Sequence, residues 1–131
     1  MPKLKLEKQF AVKALVENKN HFLFLKKKDF LGGDYDLPGG RKKQGGKDLL
    51  ALKREVKEET GLEITTIQFL NNWQVDVSSK GINLNGKTYL RPVNSNEVIL
   101  SEEHFDYKWL PKEQVLRENI PYWAREALEK I

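Results

Sequence analysis

The chain has 131 residues, 39% hydrophobic and 32% charged, which suits one globular domain with a real core. No apolar run approaches the ~20 residues of a membrane span, and the absence of cysteine excludes disulfides and thiolate metal sites. The net charge of +4 favours anionic small ligands but is no nucleic-acid signature.

The opening Met1-Pro2-Lys3-Leu4-Lys5 lacks the apolar core and cleavage site of a secretory signal, so a cytoplasmic protein without a membrane partner is expected. Phe10, Val12, Ala14 and Val16 alternate with their neighbours, as a half-buried strand requires. Asn18-Lys19-Asn20 reads as a turn and residues 21–25 as a second strand. Residues 30–34 read as a loop with two glycines, leading to a short Tyr35-Asp36-Leu37 segment and then Pro38-Gly39-Gly40. A helix is predicted over 47–60, with Leu49, Leu52 and Val56 as its apolar stripe. Gly61 stands where a left-handed C-terminal cap belongs.

Ile67, Phe69, Trp73, Val75 and Val77 then alternate along a strand that Asn71 and Asn72 interrupt. Asn85-Gly86, between two short apolar runs, predicts a hairpin turn. Pro92 confines its strand to an edge or an end. Tyr107, Trp109 and Leu110 predict a short strand stopped by Pro111. The tail from residue 121 predicts a helix that turns Trp123, Ala127, Leu128 and Ile131 inward. With no repeat, low-complexity tract or linker, residues 1–131 read as one mixed α/β or α+β domain.

Chemistry concentrates in the predicted helix of residues 47–60. Glu55, Glu58 and Glu59, at spacings of three and four, share one face. Like charges so placed destabilise an isolated helix by a few tenths of a kcal/mol per pair. A hard divalent cation relieves that repulsion, since Mg²⁺ takes carboxylate oxygens together with waters and substrate phosphates. The competing reading is a solvated face rich in Lys and Glu. Arg41-Lys42-Lys43, after the glycines, is either plain surface or a neutraliser of bound pyrophosphate. Without aromatics interleaved among the basic runs, nucleic-acid binding is disfavoured. Tyr35, Phe24 and Trp73 are candidate base-stacking residues, although aromatics at strand spacing are more often core.

Gly40, Arg54, Glu55, Val56, Glu58, Glu59, Gly61 and Leu62 fall in register with G-x5-E-x7-R-E-U-x-E-E-x-G-U, where U is aliphatic. The sequence thus resembles the Nudix hydrolases, and Tyr35-Asp36-Leu37-Pro38-Gly39-Gly40 matches the family's usual lead into that box. The first glutamate of the box is missing: Gly46 occupies its position.

The resemblance implies an α/β/α sandwich around a mixed, curved sheet. It implies metal-dependent hydrolysis of a pyrophosphate bond in a nucleoside diphosphate linked to another group, with Mg²⁺ or Mn²⁺ as cofactor. Glu55, Glu58 and Glu59 would be metal ligands, joined by the Gly39 carbonyl. Gly39, Gly40, Arg41 and Tyr35 would meet substrate, and Arg54 would orient the carboxylates. A further ligand or general base is expected from outside the helix, with Glu103 preferred to Glu102 and Glu97. His104 reads as a partly buried hydrogen-bonding residue rather than a proton shuttle, and His21 as strand surface. Substrate selectivity would lie in loops 30–34 and 78–86. Losing the box glutamate at Gly46 implies a weakened enzyme, with a nucleotide-binding sensor or regulatory module as the alternative.

Overall fold

The computed structural model describes residues 5–27, 35–43, 45–95, 97–102 and 104–131. Strand β1 (Glu7–Asn18) is the centre of the sheet. Along one edge it runs parallel to β5 (Ile82–Pro92), which pairs antiparallel with β4 (Gln68–Val77). Its other edge is shared: residues 10–13 pair with β3 (Gly39–Lys42), and Glu17 and Asn18 with β2 (His21–Lys27). Strand β6 (His104–Pro111) completes the order β4-β5-β1-β2-β6.

Between Ala11 and Val16 the expected half-buried β1 is packed on both faces, while Glu7 and Lys8 at its start are exposed. Val12, Ala14 and Val16 join Leu52 and Val56 of helix α1 (Asp48–Thr60) in one layer. Ala11 and Leu15 join Trp123, Ala127 and Leu128 of helix α3 (Tyr122–Glu129) in the other. Parallel pairing along one whole edge and two helical layers leave the middle of β1 no solvated side, and the result is an α/β/α sandwich around a mixed sheet. Among the described residues no helix is long and apolar enough to cross a membrane.

Strands β2 and β3 pair with different stretches of the same edge of β1, and the chain passes from one to the other. Asp36 exchanges backbone hydrogen bonds with Leu25 of β2 at 2.8 and 2.9 Å, whereas the Pro38 carbonyl accepts from the Ala14 N–H of β1 at 2.8 Å. This crossing places Asp36 beside β2 and Gly39 beside β1. A run of Pro-Gly-Gly has no alternation, so β3 was not among the predicted strands.

Asn85-Gly86 is not the predicted turn. Both residues lie inside β5, and the β4–β5 connection is a 3₁₀ turn at Ser78–Lys80 closed by Gly81 with φ 67°. The expected selectivity loop 78–86 is therefore mostly strand. Glycine stands at residue 86 because the Trp73 indole lies flat against it, where any Cβ would overlap the ring. Asn71 and Asn72 do not interrupt β4 but pair with Thr88 and Lys87; the ladder's one irregularity is at Leu70, between Phe69 and Asn71, and Pro92 ends β5. Helix α2 (Lys112–Val115) was not anticipated, and Ile131 is 40% exposed rather than packed inward. The loop at 30–34 lies outside the described residues.

Helix α1 stops at Gly61, whose φ of 74° lets its N–H reach the Lys57 carbonyl. Asp48 ties the other end to the sheet, accepting from Lys42 of β3 and the Tyr89 hydroxyl of β5. Burial opposes the Asp48 charge, but the bonds from Lys42 and Tyr89 outweigh it and hold its carboxyl below the ordinary 3.8. Asp48→Asn is expected to cost about 1–2 kcal/mol at neutral pH. A carboxyl depressed in the folded state stabilises above its unfolded pKa, and that contribution is lost as pH falls through the folded value. Urea titrations of both proteins should therefore differ at pH 7 and converge at a pH below the depressed folded value. An equal gap at both pH values would contradict the assignment.

Candidate active site

Two glycines of β3 lie directly against two carboxylates of α1. The Gly39 N–H donates to Glu59 Oε1 at 2.8 Å, and Glu59 is buried. At residue 40 a Cβ would come within 2.7 Å of the Glu55 carboxyl carbon. Bare backbone is what lets the strand approach the helix so closely. Partial burial, and then the negative charges of Glu59 and Glu58, push the Glu55 carboxyl up against the pull of Arg54. Glu58 is exposed and lines a shallow groove with Leu50, Lys53, Arg54, Lys57 and Glu63.

Arg54 pairs with the adjacent Glu55, Nη2 to Oε1 at 3.2 Å, rather than with Glu58, and its side chain is 58% exposed. The Gly46 carbonyl accepts from Lys42 Nζ at 2.8 Å and its N–H donates to the Lys43 carbonyl at 3.0 Å. Gly45, not Gly46, adopts the left-handed conformation, with φ 80°. Lys42 is thus used in bracing the turn, while Arg41 is exposed and bonds Gln9.

Sequence reasoning missed two residues here, Lys13 and Asp36. Lys13 sits opposite Gly39 in the β1–β3 register, on the face that also carries Ala11 and Leu15. Its ammonium lies 2.9 Å from Asp36 Oδ2, with the two side chains 15% and 8% exposed. Asp36 Oδ1 accepts the Leu37 N–H at 2.7 Å and the Trp123 indole N–H at 2.9 Å. Burial acts to lower the Lys13 pKa, but Asp36, Glu59 and Glu55 outweigh it and raise it, so the amine stays charged. A lysine set among Ala11, Val12, Ala14 and Leu15 was the available signal, since a charge in a buried strand requires a partner.

Tyr35 is buried, its hydroxyl donating to Asp106 Oδ2 at 2.8 Å and its ring 4.7 Å from Lys108 Nζ. Phe24 is buried too, and Trp73 stacks on Trp123 at 4.4 Å while its N–H bonds Thr88. These aromatics occupy core positions. Glu103 and the His104 side chain lie outside the described residues. Glu102 and Glu97 are exposed, and His21 is exposed with its ring bonded to the Lys19 carbonyl. The segment before Glu102 is held to the end of α1: the Ile99 N–H reaches the Thr60 carbonyl at 2.8 Å and the Ser101 N–H the Glu59 carbonyl at 3.3 Å.

The donor types fit a hard divalent cation, because Glu55 and Glu59 bring carboxylate oxygens beside glycine backbone. Among the described residues, however, no three carboxylates or histidines converge into a cage. Glu59 is bound to Gly39, and Glu55 to Arg54.

A family model described as NUDIX domain matches residues 7–131. A MutT protein from Methanosarcina mazei Go1 is 26% identical, with a TM-score of 0.82 over 97% of this chain and 94% of that one. A C. elegans Ap4A hydrolase, solved as a binary complex, is 22% identical, with a TM-score of 0.78 over 93% of each chain. The NUDIX domain of Shewanella oneidensis NrtR, solved with ADP ribose, is 15% identical, with a TM-score of 0.78 over 94% of this chain and 85% of that one. No curated protein matches.

Proposed function

We propose, from the premise that this chain belongs to the Nudix family, that it hydrolyses a pyrophosphate bond in a nucleoside diphosphate linked to another group. The observation that carries this reading is the direct packing of Gly39 and Gly40 against Glu59 and Glu55. Glu55, Glu58, Glu59 and the Gly39 carbonyl would hold Mg²⁺ or Mn²⁺. The ion supplies polarisation of a phosphoryl oxygen and a water of lowered pKa. Gly40 leaves room for Glu55 beside the phosphates, and the exposed Arg41 offers a cation at the rim. Arg54, 3.2 Å from Glu55, would orient that carboxylate. Glu103 is proposed as the additional carboxylate, supported by the bonding of residues 99–101 to the helix end at Glu59 and Thr60. Tyr35 would act from beneath, as packing for the Asp36 crossing. The proposed unit is one domain over residues 1–131, working on a small nucleotide in the cytoplasm.

The test is a panel of nucleoside diphosphate sugars, dinucleoside polyphosphates, oxidised nucleoside triphosphates and capped RNA, with Mg²⁺ or Mn²⁺. Metal-dependent release of a phosphorylated product supports the reading, and no turnover of any compound contradicts it. A second reading, a nucleotide-binding module that does not turn its ligand over, draws on Gly46 and on the solvent-exposed Arg54.

Gly46 is proposed to weaken the site, because no carboxylate at that position steadies Arg54. Gly46→Glu is expected to raise activity or metal affinity by up to about 10- to 100-fold. The φ at residue 46 is not positive and the contact that a Cβ would make, 3.2 Å to the Lys43 carbonyl, is close but not prohibitive. Mg²⁺ titrations of the two proteins side by side check this; equal rates and affinities would show compensation elsewhere.

A further inference from the structure

We propose that Lys13 is a positioning residue, a resident cation that holds the Asp36 and Glu59 carboxylates in place without metal and limits how tightly the cluster binds a divalent ion. The second half rests on the metal-site reading above; the first does not. Lys13 lies midway along β1, and its stem passes over Gly39, where a Cβ would come 3.0 Å from Lys13 Cδ. Its ammonium is 2.9 Å from Asp36 and acts electrostatically on Glu59 and Glu55. Asp36 already receives two N–H groups, from Leu37 and Trp123, so Lys13 is not its only stabilising partner.

The charges decide the consequence. Asp36, Glu55 and Glu59 face Lys13 and Arg54, and Arg54 is more than half exposed and therefore screened. Among the described residues Lys13 is thus the main low-exposure positive charge against these carboxylates, and it links the layer of α3, through Asp36 and Trp123, to the carboxylates of α1. A divalent ion entering among Glu55 and Glu59 meets repulsion from an ammonium on a side chain only 15% exposed. Removing that charge should tighten metal binding, whereas a residue with a merely structural role would leave it unchanged or weaker.

The experiment compares wild type, Lys13→Met and Lys13→Arg by Mn²⁺ titration, and by thermal melting in EDTA with and without Glu59→Gln. Folded Lys13→Met should hold Mn²⁺ about 10-fold more tightly, and Lys13→Arg should stay near wild type. In EDTA, Lys13→Met should melt lower, and adding Glu59→Gln should recover part of the loss. Unchanged or weaker Mn²⁺ binding, or strictly additive melting shifts, would overturn the proposal. If Lys13→Met does not fold, the Lys13→Met, Asp36→Asn pair removes both low-exposure charges and carries the same titration. If wild type binds no Mn²⁺, the metal-site reading and the metal half of this proposal fail together. The Lys13–Glu59 coupling in EDTA then decides the remaining half.

Discussion

Glu59→Gln and Glu58→Gln are each expected to lower metal-dependent turnover by about 100-fold or more. Glutamine keeps the size of the side chain and an oxygen able to accept the Gly39 N–H, so the β3–α1 contact survives while the charge is lost. The two positions differ in setting: Glu59 is buried and Glu58 is exposed. A loss at both would therefore follow from metal ligation rather than from packing. Steady-state rates at saturating Mg²⁺, with melting temperatures alongside, make the comparison. Unchanged turnover in both variants would remove the site from this face of α1.

Gly39→Ala is expected to destabilise the fold by about 4 kcal/mol. Its φ of 145° is one that residues with a side chain rarely adopt, which costs about 1–3 kcal/mol. A Cβ there would also overlap the Val12 carbonyl and crowd the Lys13 Cα at 2.8 Å, both backbone atoms that cannot swing aside. Overpacking of this kind costs about 1–3 kcal/mol more. The β1–β3 pairing would have to open, carrying Gly40 away from Glu55. Chemical denaturation measures the loss; a change under about 1 kcal/mol would mean that β3 is less tightly held than its register indicates.

The helix of the candidate site was legible because its signals are local. The Leu52 and Val56 stripe, the Gly61 cap and the glutamate spacing all act within a few turns of one helix. The sandwich was legible only through the family resemblance, since strand order is set by contacts far apart in sequence. Where a residue's reason was distant, the local rule misled. Asn85-Gly86 carries the signature of a tight turn, yet Gly86 answers to Trp73 on the neighbouring strand. Lys13 lay on the supposed solvent side of an alternating strand, and only the packing of α3 and the crossing at Asp36 bury that side. The spacing alone likewise did not say which carboxylate Arg54 would take, and it takes the adjacent Glu55.

One measurement bears most directly on the claim that the carboxylate face of α1 cleaves pyrophosphate bonds. Wild-type protein and the Glu55→Gln, Glu58→Gln, Glu59→Gln triple variant are incubated with the nucleotide panel and Mn²⁺ or EDTA, and the phosphorylated products are resolved and quantified. Wild type with Mn²⁺ is expected to release products cut at a P–O–P bond, and EDTA or the triple variant to abolish their formation. Equal product from the triple variant, or none from wild type while a panel nucleotide binds it tightly, would contradict the account.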